Sequence, residues 1–470
     1  MNTAVGQAQS ATAGDERGPG TSPALAALLA GTFVGTVSNN IVNAPLNAIL
    51  TDFDAGLGSG IFVVVGFLLT FAATMPLAGW IGDRFGRRRV YCAALLGTAV
   101  CSLGAALAPS LPVLVMWRSL GGIAAAAFAP AVMGLIAWLF GPARRARAVG
   151  AWAAVNGIGQ AVGPSMGGIV SDLWGWRWAF VPLVPVALIG FAATLRYIPC
   201  YPGKKMRLDV IGASTVTLGA VLLILGLTTV SMEQVPAWVS IATIGGGVVV
   251  MAGFVLHCRR AANPFVPIDL VIESRFLRSA LAAFTQMFAL GALLLALPLH
   301  LTGSGSSTTQ AGLMLFVLPV VMTCVAPVVG RLVDRIGARV VMRTGLAVLI
   351  SSQVALSITL SADIRNPVAV GAVLVVAGVG IGMVQTPAAA GSTRSPAGAV
   401  GTGLGLFNLI RFGGSAVGAA WVGVAAHLAA DPYGLLFAVA ALVVLAGLAG
   451  TFAGENPGGR LRASGSRSRG

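Results

Sequence analysis

Asparagines at positions 39, 40, 43 and 47 stand inside the first long apolar run of this 470-residue chain. In hydrocarbon each such amide must find a hydrogen-bond partner, face water or meet a solute. At 100° per residue, Thr36, Asn39, Asn40, Asn43 and Asn47 fall within an arc of about 100°. A helix there would present a ladder of amides able to grip a polar cargo. The alternative is that the amides bond neighbouring helices, at ~0.6 kcal/mol each. Two arginines, Arg118 and Arg411, lie deep in other apolar runs, and for Arg411 a structural role and a cargo contact are equally open readings. Arg118 is about seven residues, or ~10 Å, from the outer end of its run, close to the depth of Asn43, which makes the two candidate partners. Asn156, Gln160, Gln286, Gln385 and Asn408 add single polar groups for which an interhelical bond and a cargo contact are equally open readings.

Acids are conspicuous by position. Every Asp and Glu maps to a loop, a tail or a helix end, so no carboxylate is expected in the hydrocarbon core. Asp52, Asp54 and Asp172 stand at the outer mouth, and any proton coupling would have to use one of them or a titrating group on the cargo. His257, His300 and His427 are far apart at helix ends, so no metal site is expected. No Walker A loop, HExxH or GxSxG occurs, which disfavours ATP-driven transport and hydrolysis. The chain therefore reads as a non-enzyme without a cofactor.

The elements that must carry these residues follow from composition. The chain is 57% hydrophobic and 9% charged with a mean hydropathy of +0.90, against roughly 25% charged in soluble domains. It is an all-α polytopic membrane protein, with lipid as its surroundings. Fourteen apolar runs can cross a bilayer, near 24–50, 59–81, 91–108, 111–139, 148–170, 178–198, 210–230, 237–257, 276–301, 310–330, 340–361, 367–388, 398–425 and 433–453. The net charge of +15 sits in short segments such as DRFGRRR (83–89), ARRAR (143–147), KKMR (204–207) and RLVDRIGAR (331–339). All fall on one side, which argues for the positive-inside pattern with both termini cytoplasmic, and against nucleic acid. Scattered Cys92, Cys101, Cys200, Cys258 and Cys324 read as free thiols. Abundant alanine and glycine with only two lysines suggest a bacterial, GC-rich source, hence the bacterial plasma membrane.

A repeat organises the spans. GWIGDRFGRRRV (79–90) and GRLVDRIGARVV (330–341) match at Gly79/Gly330, Asp83/Asp334, Arg84/Arg335, Gly86/Gly337, Arg88/Arg339 and Val90/Val341, with Arg87 inside the first copy only. Each follows the second helix of a six-helix block. Gly79, which opens the first copy, reads as a place of close helix approach. The expected domains are a disordered cytoplasmic tail (1–23), an N-terminal six-helix bundle (24–199), two central helices with their loops (200–275), a C-terminal six-helix bundle (276–453) and a basic tail (454–470). Two parallel repeats around a central site are a transporter architecture.

The repeated loop resembles the signature loop of the major facilitator superfamily. LVMWRSLGGIAAA (114–126) resembles that family's fourth-helix motif, with Arg118 at the place of its buried arginine. GQAVGPSMGG (159–168) resembles the fifth-helix motif of its antiporter branches, through Gly159, Gly163, Pro164, Gly167 and Gly168. WGWRWAF (174–180), NPFVPIDL (263–270) and GTGLGLFNLIRFGGSAVG (401–418) resemble the fourteen-span drug:proton antiporter branch. The resemblance implies a monomeric major facilitator fold arranged 6+2+6. It also implies alternating access, with export of drugs, antibiotics or a related metabolite driven by the proton gradient. One departure bears on mechanism: the branch usually has acid-x-x-I-V-N in the first helix, and here Ser38 takes the acid's place. The alternatives are a uniporter or exchanger of a polar or anionic metabolite, and a membrane sensor that has lost transport.

Overall fold

A computed structural model describes residues 21–452 except 141, 201–202, 204–208, 231, 233–234, 262–263, 267–270, 363–365, 394–400 and 430. Both expected tails beyond these limits, KKMR, Asp363, and much of NPFVPIDL lie outside the described residues. The described chain is helical. In order, α1 (Thr21–Asn40) and α2 (Leu46–Asp52) make one broken passage, and α3 (Leu57–Gly60) leads into α4 (Phe62–Phe85). Then come α5 (Arg87–Ala106), α6 (Leu111–Ala125) continued by α7 (Phe128–Leu139), α8 (Pro142–Trp174), and a 3-10 turn at Trp176–Phe180 before α9 (Leu183–Tyr197). A central hairpin pairs α10 (Val210–Thr229) with α11 (Ala237–Arg260). The second half is α12 (Ser274–Gly303), α13 (Thr308–Ile336), α14 (Ala338–Ser361), α15 (Pro367–Thr393), α16 (Gly401–Leu428) and α17 (Pro432–Gly450).

Twelve of the described helical segments are long and apolar enough to cross a membrane. The runs read at 24–50 and 148–170 are helical too, as α1 with α2 and as α8, but stand outside that set. Amides dilute the first, and amides with closely spaced glycines dilute the second. Large apolar side chains point outward, as lipid contact requires: Trp238, Ile241 and Val249 on α11 are each about two-thirds exposed.

The expected repeat is present in the backbone. α4 and α13 both end on a left-handed glycine, Gly86 at φ 96° and Gly337 at φ 89°, and α5 and α14 start on the next residue. Only glycine takes that conformation without Cβ strain. Gly79 and Gly330, expected in the motif loops, both lie inside helices, in α4 and in α13. A Cβ at Gly330 would meet nothing within 4 Å, and the inner third of α13 is mostly exposed. Contacts between the halves run along two seams, α8 on α13 and α4 on α16, while α10 packs against both α4 and α16. Ala72 of α4, Val216 and Ala220 of α10, and Leu406 and Leu409 of α16 form one apolar cluster there.

Candidate functional site

The first passage is not the continuous helix that the amide ladder assumed. Residues 41–45 leave the helix, because Pro45 has no N–H to continue the ladder and its ring crowds the preceding turn. The Asn43 N–H folds back to the Asn40 carbonyl at 3.1 Å. Carbonyls at the end of α1 are thereby released, and Arg118 takes them: Nη1 donates to Ser38 O at 2.6 Å and Nη2 to Asn39 O at 3.5 Å. Its Nε donates to Val63 O at 3.2 Å, and the guanidinium lies 4.4 Å over the Phe67 ring. The expected Arg118–Asn43 pair is therefore replaced by bonds to backbone. A cation at a helix C-terminus also meets the negative end of its dipole.

The ladder divides at the break. Asn40 and Asn43 are buried and bond locally, Asn40 Nδ2 to Thr36 O at 3.0 Å and Asn43 Nδ2 to Asn40 Oδ1 at 3.5 Å. The Oδ1 atoms of Asn39 and Asn43 are buried and accept from no described group. Asn47, beyond the break, lines a different space: a cavity of about 470 Å3 at the outer end, shared with Asp52, Asp172, Trp176 and Thr308. On α8, Gln160 Nε2 donates to Asn156 Oδ1 at 2.7 Å. Gln286 on α12 is fully buried with neither amide atom partnered, and Gln385 Oε1 on α15 is likewise unpartnered. Gln353 on α14, which the sequence reading passed over, is a further fully buried amide.

The glycine motif of α8 works by what it lacks. Gly159, Gly163 and Gly167, at helical spacing, lie against Thr36, Asn40 and the Ile41 carbonyl of the first passage. A Cβ at Gly167 would overlap that carbonyl. The other side of α8 meets α13: Gly168 lies on Thr308 O, the Pro164 carbonyl approaches Gly312, and Ser165 Oγ donates to Gly312 O at 3.1 Å. Just beyond, Asp172 Oδ2 accepts the Thr309 N–H at 2.7 Å, so an acid of one half caps a helix of the other. The α13 N-terminus also has its own capping box of Ser307 and Gln310.

The remaining outer acids are engaged differently. Asp52 bonds Arg177 at 2.6 Å and Trp176 Nε1 at 3.2 Å. The Arg177 bond holds its carboxyl below the ordinary range, against a smaller upward push from burial. Asp54 is exposed, with a left-handed φ of 48°. Among the described residues every Asp and Glu lies at a helix end or in a loop, and none forms a cluster that would hold a metal. All five cysteines are free thiols.

At the inner loops, Asp83 pairs with Arg87 at 2.7 Å. The Arg87 guanidinium fills the slot that Gly134 of α7 leaves open. The second loop has Ala338 at the matching place, and Asp334 is exposed without that pair. What both copies keep is a cap. Arg88 donates to Leu195 O at 2.7 Å near the end of α9, and Arg339 donates to Thr451 O and Phe452 O at the end of α17. Each arginine thus satisfies carbonyls at or just past the end of a helix packed against its own. Arg84 and Arg335 are exposed.

The central hairpin is fastened by a group that the sequence reading did not single out. Asp209 accepts from Gly212 N, Phe265 N and His257 Nε2, each at 2.9 Å. Burial pushes the Asp209 carboxyl up, but these donors outweigh it and hold the group below its ordinary range.

Comparison with known proteins agrees with this geometry. Residues 27–419 match the family model described as Major Facilitator Superfamily. The chain is 32% identical over 241 residues to an uncharacterised MFS-type transporter of Mycobacterium tuberculosis, covering 50% of this chain and 42% of that protein. It is 29% identical over 262 residues to a Salmonella typhi protein carrying the name multidrug resistance protein MdtD, covering 55% of each. The matches span about half the length of these curated relatives. Among solved structures, the xylose transporter XylE of E. coli in a partially occluded inward-open conformation superposes with a TM-score of 0.66 at 14% identity. That superposition covers 92% of this chain and 99% of that one. A peptide transporter, POT, solved with sulfate, gives 0.69 at 14% identity over 91% and 94%. At such identity these likenesses concern the fold.

Proposed function

Because the chain belongs to the major facilitator superfamily, we propose that it exports small molecules across a bacterial plasma membrane by alternating access, driven by the proton gradient. It works as a fourteen-span monomer arranged 6+2+6, with both termini cytoplasmic. Its cargo is a drug, an antibiotic or a related secondary metabolite; it uses no cofactor. The observation that carries the reading is the outer α8–α13 seam, where glycines meet backbone and only a few hydrogen bonds join the halves. Such a seam can open without side chains having to repack. The multidrug name of one relative supports the choice of cargo.

Proton coupling runs through Asp172, the acid that joins the halves. Burial pushes its carboxyl up, but the Thr309 and Thr308 donors outweigh that and hold it below the ordinary range while the seam is closed, so it takes a proton as the seam parts. Protonation removes a carboxylate acceptor from the α13 N-terminus and so favours an open outer seam. A second reading, exchange without proton coupling, is favoured by the place of every described carboxylate at a helix end or in a loop. The deciding experiment expresses the chain in an efflux-deficient bacterium and follows extrusion of dyes and antibiotics with and without a protonophore, ATP levels held. Extrusion abolished by the protonophore, and uncoupled by Asp172→Asn, is the expected result. Extrusion indifferent to the protonophore sinks the coupling, and no extrusion of any compound sinks export.

A further inference from the structure

Arg411 lies ten residues inside α16, or ~15 Å from its inner end, which is the middle of a hydrocarbon layer of about 30 Å. Arg118 has three carbonyls and a ring. Arg411 has no hydrogen-bond or ion-pair partner among the described residues, and its guanidinium lies 5.0 Å from the ring of its neighbour Phe412. A guanidinium so deep is rarely left without a counter-charge, and every described acid lies in a loop or within three residues of a helix end, away from this depth.

The neighbours of α16 fix where this side chain faces. Gly405 abuts Pro76 and Phe412 packs edge-on to Phe71 at 4.9 Å, which marks the α4 side. Gly414 and Gly418 lie on the Phe284 and Phe288 carbonyls, and Phe407 meets Phe276, which marks the α12 side. Leu406 and Leu409 mark the α10 side. At 100° per residue, Arg411 falls about 40° from the α12 side, about 110° from the α4 side and roughly opposite α10. Asn408 and Ser415 share that sector to within about 60°. Arg411 and Asn408 therefore face the gap between α4 of one half and α12 of the other, and both are partly buried there.

Given the transport reading above, on which this rests, we propose that Arg411 and Asn408 form an anion subsite, and that the cargo is an amphiphilic organic anion. A guanidinium offers a planar fork of donors matched to a carboxylate or phosphate. Asn408, one turn away, adds an amide donor, while Phe71 and Phe412 supply apolar surface beside it. The same permanent charge repels cationic cargo at this depth.

The test uses full-length protein in detergent and matched probes: 1-naphthoate against methyl 1-naphthoate, and 1-naphthyl phosphate against 1-methoxynaphthalene. Binding is read from the shift in thermal unfolding midpoint across a titration, and flux from inside-out vesicles. The expected result is a preference of about tenfold or more for at least one anion over its neutral partner. Arg411→Gln brings that ratio close to one and Arg411→Lys retains part of it. The carboxylate and phosphate arms identify which oxyanion fits. A wild-type protein that binds neither anion, binds anion and neutral partner alike, or keeps its preference in both Arg411→Gln and Asn408→Ala overturns the proposal. Selective binding without flux supports the subsite and refutes transport instead.

Discussion

Pro45 opens the backbone of the first passage and Arg118, 73 positions later, closes its hydrogen bonds. Their coupling explains why a buried arginine can sit beside a serine rather than an acid: the acceptors are carbonyls, and Ser38 contributes its backbone. Arg118→Met leaves buried carbonyls without donors, at a cost of about 1–3 kcal/mol. The expected outcome is a lower unfolding midpoint in detergent, partly restored by Arg118→Lys; an unchanged midpoint would refute the role. At this scale the residue types were legible in the sequence and the partners were not. Helical-wheel geometry presupposes an unbroken helix, and a carbonyl released by a distant proline leaves no mark in the pattern of side chains. The paired role of Arg88 and Arg339 was hidden for the same reason, since Leu195, Thr451 and Phe452 bond through backbone oxygens.

At the scale of helices, α8 separates the two uses of glycine within 33 residues. Gly167 lies on the Ile41 carbonyl, whereas a Cβ at Gly150 would meet nothing within 4 Å. Gly167→Ala forces backbone apart and should destabilise by about 1–3 kcal/mol. Gly150→Ala should be neutral or stabilise by roughly 0.5–1 kcal/mol through helix propensity. Thermal unfolding of the pair decides this, and equal midpoints would contradict the close approach. The motif in GQAVGPSMGG was readable in advance as a thinned helix; which glycines face which neighbour was not, because that depends on packing against both α1 and α13. The α10–α11 hairpin carries a pH prediction. Asp209 has a depressed folded value, so its contribution is complete above the unfolded value of about 3.9 and is lost as the pH falls through the lower folded one. Hydrogen exchange in residues 210–229 should rise across that acid window, and Asp209→Asn should remove the step. A profile identical in the two proteins would dismiss the fastening role.

For the whole molecule, the repeat was legible because a left-handed glycine between two helices needs a particular residue, and Gly86 and Gly337 stand at matching places in both motifs. The relation between the halves was not, since it rests on seams formed by residues more than 100 positions apart, such as Ser165 with Gly312. The outer seam yields the prediction that belongs to this scale. Asp172→Cys with Thr309→Cys should form a disulfide under mild oxidation, stop flux, and recover on reduction. Full transport by the oxidised, cross-linked protein would show that the seam does not have to open.

The cap that Asp172 lends to α13 is additional to the box of Ser307 and Gln310. When the halves part, that helix keeps a cap of its own, so its first turn need not unravel and only one shared carboxylate has to be rehydrated. While the halves stay together, the outer α8–α13 seam is held by contacts that need no cargo. An idle copy should then be electrically silent: reconstituted in planar bilayers under an imposed voltage, it should pass no steady current, and a cell could hold many copies without running down its ion gradients.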